Sequence, residues 1–387
     1  MILDTFLSYA GGPAGLHYAG TVPNSRASRL RPVPAAAVAA TLTAAAAGTV
    51  LRVTPWPAAL LIRGVFYRGA RQLIDQMKPW SPKVPEHRNI KYQADGGARR
   101  LDIYLPPGHT AETPAPVVFW VHGGAWISGS RRDVAPYLRM LAARGFAAVG
   151  VDYSVAPGSI YPRALQELNQ ALQYLQDNAG DYGLDMDRVV LAGDSAGAQL
   201  AAQLAAAVSS PEYASELGIS PGLAGPQLRG ALLHCGVYDL EAMGKLTGIL
   251  GWGFRTALWA YTGKRKFSES AAADQMSVIS HATAAFPPAF ISGGNGDGLT
   301  AAQSVPFADR LEKLGVAVTR RFWADDLVPA LPHEAQFQFS RPEARAVLDE
   351  TTAFLHSVLG LPQSGGSAHG FEDSTTDYVQ PAERPTA

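Results

Sequence analysis

"RVVLAGDSAGAQLAAQLAAA", Arg188–Ala207, runs from an apolar strand pattern through Gly193-Asp194-Ser195-Ala196-Gly197 directly into an alanine-rich helical pattern. This is G-x-S-x-G set between strand and helix, the context in which the motif carries chemistry. A sharp turn of this kind holds a serine in a strained backbone conformation with its hydroxyl projecting outward. Glycines two before and two after leave room for strand and helix to approach. The amide of Ala196, at the helix N-terminus, points to where an oxyanion would form. Ser195 is the candidate nucleophile; the competing reading is a serine in an ordinary tight turn.

Working outward, the segment is one of a series. "NIKYQAD" and "RLDIYLP" read as a strand pair joined by "GGAR", at a sheet edge. "PVVFWV", "FAAVGVDY", "RVVLAGD", "LRGALLHC", "PAFISGG" and "VAVTRRFW" follow, the central ones without strict alternation. That pattern suits strands buried on both faces of a parallel sheet. Helical patterns lie between them: Leu165, Leu168, Leu172 and Leu175 in one, Phe307, Leu311 and Leu314 in another, with Gly315 to end it. Alternating strand and helix predicts an α/β chain with a mostly parallel central sheet and helices on both faces. Ligands then sit at the carboxyl ends of the strands.

A nucleophilic serine needs a base, and the base needs an orienting carboxylate. In the arrangement that carries this turn, the acid and then the histidine follow the serine in the chain. Among nine histidines, His333 lies in the loop after the last strand pattern, in "FWADDLVPALPHEAQ". Asp297 stands between Gly296 and Gly298 after "PAFISGG". Ser195, Asp297 and His333 fit that order. Asp239, Asp325 and Asp326 are rival acids, and His234 and His281 rival bases. His234 falls inside a strand, where a core histidine is the plainer reading; His369 lies in a polar tail.

"PVVFWVHGGAWISGS", Pro116–Ser130, gives the serine a second support. Backbone amides can point at a developing oxyanion only where the chain turns tightly and no side chain intrudes. Gly123 and Gly124 allow that turn, and Ala125 is small. With Ala196 they form a candidate oxyanion hole, each well-aimed donor being worth about 2.7–4 kcal/mol in the transition state. His122 reads as scaffold. Trp126 is either a pocket wall or a core tryptophan.

With H-G-G followed by G-D-S-A-G, the chain resembles an α/β-hydrolase of the hormone-sensitive-lipase and carboxylesterase type. The likeness runs from about Asn89 to Leu359 and is nearest to the esterases with an HGGAW-like loop. It implies an α/β-hydrolase fold with a helical cap. It also implies Ser195, Asp297 and His333 as the triad, with the amides of Gly124, Ala125 and Ala196 as the hole. HGGA stands where that family commonly has HGGG. The reaction implied is hydrolysis of a hydrophobic carboxylic ester through an acyl-enzyme, with no metal or cofactor. An arylformamidase-like amide hydrolase is the first alternative, because it shares the HGG-x-W loop. A non-catalytic ligand-binding protein on the same fold is the second.

Composition narrows the partners. The chain has 387 residues, a formal net charge of −1, 47% hydrophobic and 17% charged residues, which suits a large folded core and not a nucleic-acid binder. One cysteine, Cys235, excludes an intrachain disulfide and a cysteine metal cluster. Residues 1–85 read as an N-terminal helical cap or membrane-associating segment, with Arg26, Arg29 and Arg31 ahead of an uncharged run at 33–51. Peripheral membrane contact through this segment, and a cytoplasmic or membrane-associated location, are the corresponding expectations. Residues 86–361 form the catalytic domain, with a cap insertion at about 240–285. Trp252, Phe254 and Trp259 in that insertion, together with Trp126, are candidate substrate contacts. Residues 362–387 read as a disordered tail.

Overall fold

Alternate residues of one central strand point into two different cores. In β3 (Ala115–Val121), Val117, Phe119 and Val121 join one apolar cluster, while Val118 and Trp120 join another. Strand side chains alternate between faces, so helices must cover both sides. The computed structural model that shows this describes Thr49 and residues 52–93 and 99–362. The basic residues at 26–31, nearly all of the apolar run at 33–51, the turn at 94–98 and the tail from 363 lie outside the described residues. So do the expectations placed on them.

Among the described residues the strands are β1 (Glu86–Lys91), β2 (Arg100–Tyr104), β3, β4 (Ala147–Val151), β5 (Leu184–Asp194), β6 (Leu228–His234), β7 (Ala289–Gly293) and β8 (Val318–Phe322). They form one sheet in the order β1-β2-β4-β3-β5-β6-β7-β8. β1 and β2 pair antiparallel, as do β2 and β4; every later pairing is parallel. The expected sheet is therefore present: mostly parallel, with an antiparallel edge. β3, β4 and β7 are buried throughout, whereas the edge strand β1 is mostly exposed. Continuous apolar runs in the middle and weaker patterns at the edge follow from this.

Besides a single turn at Ala179–Tyr182, the α-helices among the described residues are α1 (Trp56–Met77), α2 (Ala135–Ala142), α3 (Arg163–Asp177), α4 (Ala196–Ser209), α5 (Pro211–Leu217), α6 (Leu240–Gly244), α7 (Gly248–Thr262), α8 (Ala271–Met276), α9 (Val278–His281), α10 (Val305–Lys313) and α11 (Pro342–Val358). The four leucines of α3 are all buried in the first cluster, with Leu200 of α4 and Phe307 and Leu311 of α10. Leu138 of α2 and Leu348 and Leu355 of α11 fill the second. Four helices, α6 to α9, leave the sheet between β6 and β7. No helix among the described residues is long and apolar enough to cross a membrane.

This topology selects one place for a site. From β3 the chain crosses to β4 on one side; from β4 it returns past β3 to β5 on the other. The loops leaving β3 and β5 therefore diverge, opening a crevice at the carboxyl ends of the strands. His122–Ser130 and Ser195 lie there.

Candidate active site

Ser195 is the hinge between β5 and α4. It has φ 53° and ψ −121°, a strained conformation for a residue with a side chain. Its N–H donates to the carbonyl of His234 at 2.9 Å, which fixes the bend. A Cβ on Gly197 would fall on the carbonyl oxygen of Val121, and one on Gly193 would come within 2.6 Å of the Gly197 carbonyl. The two flanking glycines are thus demanded by the close approach of α4 to the ends of β3 and β5.

The structure brings Ser195, His333 and Asp297 together. His333 Nε2 lies 2.9 Å from Ser195 Oγ, and its Nδ1 lies 2.7 Å from Asp297 Oδ2. Asp297 Oδ1 accepts from the Leu299 amide at 2.9 Å, so the carboxylate is held from both sides. The loops bearing the two residues are tied together. Leu331 N–H donates to Asn295 Oδ1 at 2.8 Å, and Gly296 N–H donates to the Leu331 carbonyl at 2.9 Å. Burial disfavours a charged His333, but the adjacent Asp297 carboxylate outweighs it and holds the imidazole well above its usual range.

The rival residues have other work. Asp239 caps α6, accepting from the Ala242 amide at 3.0 Å. Asp325 and Asp326 are exposed. His234 lies in the core against Ser292 Oγ at 2.6 Å, with burial pushing its imidazole down to about 3. His281, at the end of α9, stacks on Tyr213 at 4.2 Å.

The loop after β3 carries three successive left-handed residues: Gly124 (φ 111°), Ala125 (φ 50°) and Trp126 (φ 58°). Such a turn aims consecutive amides at one point. The N–H groups of Gly124 and Ala125 have no protein acceptor among the described residues. That of Ala196 opens α4 and has no intrahelical partner. Gly123 departs from the expectation that it belongs to the hole. Its N–H donates to Asp194 Oδ2 at 2.8 Å and is already engaged. His122 is buried, stacked on Tyr153 at 4.3 Å, with its Nδ1–H directed to the Gly123 carbonyl at 2.8 Å. It braces the loop.

A cavity of about 400 Å³ opens above Ser195. α1 and α7 form much of its wall, through Phe66 and Tyr67 of the first and Leu250 and Phe254 of the second. Arg63 of α1 also reaches the loops after β3 and β4, donating to the carbonyls of Ile127 at 2.7 Å and Ala156 at 2.8 Å. Of the four aromatic residues expected to contact substrate, Phe254 lines the cavity and three do not. Trp126 is turned under the loop by its left-handed backbone. It is fully buried, with its Nε1–H donating to Gln199 Oε1 at 3.0 Å and its ring stacked on Tyr261 at 5.7 Å. Trp252 is 42% exposed. Trp259 packs under the Arg265 guanidinium, 5.5 Å from its ring centroid. The helical period explains the difference: Leu250 and Phe254 share a face of α7, and Trp252 lies opposite.

Donor atoms of Cys235, Asp297 and His333 all lie within 4.8 Å of one another. Asp297 and His333 are hydrogen-bonded to each other, and burial pushes the Cys235 thiol up, away from thiolate. We read this group as the surroundings of His333 and assign it no metal.

Comparison with known proteins agrees with the geometry. The BD-FAE family model matches residues 101–311, more than half of the chain. Esterase LipQ of Mycobacterium tuberculosis is 29% identical over 279 residues, spanning 70% of this chain and 62% of LipQ. The probable carboxylic ester hydrolase LipM of the same organism is 27% identical over 230 residues, 58% of this chain and 52% of LipM. The chain thus spans under two thirds of the length of these relatives. Among solved structures, esterase B from Lactobacillus rhamnosis has a TM-score of 0.66 at 23% identity, covering 79% of this chain and 96% of that one. An esterase from Pyrobaculum calidifontis has a TM-score of 0.63 at 23% identity, covering 77% of this chain and 92% of that one.

Proposed function

The chain belongs to the BD-FAE family and is an α/β-hydrolase of the hormone-sensitive-lipase type; from that premise we propose that it is a serine carboxylic ester hydrolase acting on a hydrophobic ester. The observation that carries this reading is the hydrogen-bonded line Ser195–His333–Asp297 beneath a cavity with apolar walls. In it, Ser195 Oγ attacks the ester carbonyl while His333 Nε2 takes its proton. Asp297 orients the imidazole and stabilises its charged form. The amides of Gly124, Ala125 and Ala196 hold the oxyanion. The alkoxide leaves with the proton from His333, and water repeats the sequence on the acyl-enzyme. The relatives named as esterases support the ester over an amide.

A fluorophosphonate probe should label the wild type at Ser195, and p-nitrophenyl esters should turn over faster than aryl formamides. Labelling elsewhere, or none, would remove the mechanism. A preference for formamides would favour the amide-hydrolase reading.

Peripheral contact with a lipid surface belongs to the same proposal. Trp56, Leu60 and Leu61 of α1 and Ile249 and Trp252 of α7 are exposed large apolar residues on the two helices that wall the cavity. Cosedimentation with anionic vesicles tests it; protein wholly in the supernatant counts against it.

A further inference from the structure

Two carboxyl groups meet over Gly123. Asp194, inside G-D-S-A-G, is 3% exposed and accepts from Trp120 Nε1–H and from the Gly123 amide, both at 2.8 Å. The point where a Cβ would stand on Gly123 lies against Asp194 Oδ2 and 3.2 Å from Glu334 Oε1. Glu334 and Asp194 thus present their carboxyls to the same point on Gly123. The backbone of Glu334 is left-handed, with φ 58° and ψ 30°, a conformation seldom held by a residue of this kind without a reason. That conformation follows His333 directly and lets the carboxyl reach back to the cavity wall, which it lines with Asp194.

No lysine or arginine among the described residues forms an ion pair with either carboxyl. The charged and titratable groups facing Glu334 are Asp194 at the end of β5, His333 beside it, Asp297 after β7 and Asp133 ahead of α2. Those facing Asp194 are Glu334, His333 and Tyr153. Burial pushes both carboxyls up; the charge of Glu334 adds to this at Asp194, and those of Asp297 and Asp133 add to it at Glu334, against the opposing pull of His333, so the pair retains a proton where isolated carboxylates have lost theirs.

We propose that Glu334 is a positioning residue: the Glu334–Asp194 pair, joined by one shared proton, locks the turn that carries His333 to the turn that carries the oxyanion amides. Asp194 holds the Gly123 amide, and Gly123 sets the direction of Gly124 and Ala125. Glu334 fixes the same Asp194 from the histidine side. Base and oxyanion hole are thereby kept in register by a link that takes no part in the bond-making steps at Ser195. Loss of the shared proton at high pH puts two negative charges across Gly123 and opens the link. This rests on the reading of Ser195, His333 and Asp297 given above.

The experiment compares Glu334→Gln, Glu334→Ala and wild type over a pH series. Glutamine keeps a donor to Asp194 and cannot ionise. Its kcat near neutrality should stay near wild type, while its alkaline limb moves up by about one pH unit or more, or vanishes. Glu334→Ala should lower kcat by about tenfold to a hundredfold with little change in KM, as misplacement from outside the reacting atoms does. Superimposable pH profiles for wild type and Glu334→Gln would overturn the proposal. An independent readout needs no activity. The infrared carbonyl band of a protonated carboxyl should be present in wild type at neutral pH and absent in Glu334→Gln; its absence from wild type also overturns the proposal. Ser195 labelling with an unmoved pH profile sinks only this link. Failure of labelling sinks the hydrolase mechanism, and the infrared band still decides the pair.

Discussion

The turn after β5 and the turn after β3 face each other across the crevice, and both hold non-glycine residues in left-handed backbone. They are stabilised differently. The β5 turn passes from strand to helix at Ser195 with no intervening loop, and α4 begins at the next residue. Its strain is borne by the strand and helix it joins and by one bond to the His234 carbonyl. The β3 turn runs from His122 to Val134 before α2 starts, so it cannot lean on a helix of its own. It is held from outside: Asp194 takes the Gly123 amide, Tyr153 Oη–H donates to the His122 carbonyl, and Arg63 of α1 takes the Ile127 carbonyl. One turn is self-contained. The other is assembled from parts of the chain far away in sequence, and should fail by different routes.

The self-contained turn carries the largest expected effect. Ser195→Ala removes the proposed nucleophile and should lower kcat by about 10⁶-fold, the scale on which serine hydrolases lose activity without it. Thermal unfolding should be unchanged or slightly raised, since alanine does not worsen the left-handed backbone. Asp297→Asn comes next, at about 10⁴-fold in kcat, because the amide favours the wrong imidazole tautomer. Asp239→Asn, measured beside it, should leave kcat near wild type, since asparagine caps α6 as well as aspartate does. Equal losses in the two variants would undo the assignment of the acid.

The β3 turn is best broken at Gly123. Its amide is engaged by Asp194, yet a methyl group there would strike the Asp194 carboxylate. Gly123→Ala should shift the amides of Gly124 and Ala125 and lower kcat by about 10²–10³-fold, the effect of losing an oxyanion donor. Fluorophosphonate labelling of Ser195 should slow but persist. A variant with full activity would show that the β3 turn tolerates movement that the β5 turn does not.

The difference between the turns also governs how much of each is legible in the amino-acid sequence. The β5 turn is written in one contiguous stretch, so spacing alone assigns its serine and glycines. Asp297 and His333 follow from strand order, because each lies in the first loop after a strand pattern. For the β3 turn, the two glycines are visible in the sequence but their separate uses are not. Gly124 serves the turn, whereas Gly123 serves contact with Asp194 and Glu334, which are 71 residues and more away. Nothing local marks Glu334 except its place after His333. Buried Gln199 and Gln203 are the one local hint of ties to the segment between β6 and β7. Two glutamines four apart on an alanine-rich helix need polar partners, and they find them in Trp126, Tyr161, Tyr213 and the backbone of α8.

A pH profile separates the turns by a smaller effect. As the proposed base, His333 acts only when neutral, so kcat/KM should rise with pH as it loses its proton. Asp297 holds that proton, so the midpoint should fall above the usual imidazole value of 6.5. Asp297→Asn removes the carboxylate and should bring the midpoint of its residual activity down. A wild-type midpoint below 6.5 would mean that burial, not Asp297, governs the histidine.

The smallest effect on chemistry is expected at Trp126, and it tests whether the β3 turn is held by packing beneath it. Trp126→Phe keeps an aromatic ring against Tyr261 but removes the donor to Gln199, leaving its buried oxygen without that bond. A loss of stability of about 1–3 kcal/mol follows from stranding such a group. The kcat of the folded enzyme should stay near wild type, with no change in preference among esters of graded acyl length. Phe254→Ala should do the reverse, since it enlarges the cavity without touching the loop: stability nearly kept, preference moved toward longer chains. If Trp126→Phe shifts chain-length preference, the tryptophan reaches substrate after all. The β3 turn would then be set partly by what it binds, where the β5 turn is set by the strand and helix it joins.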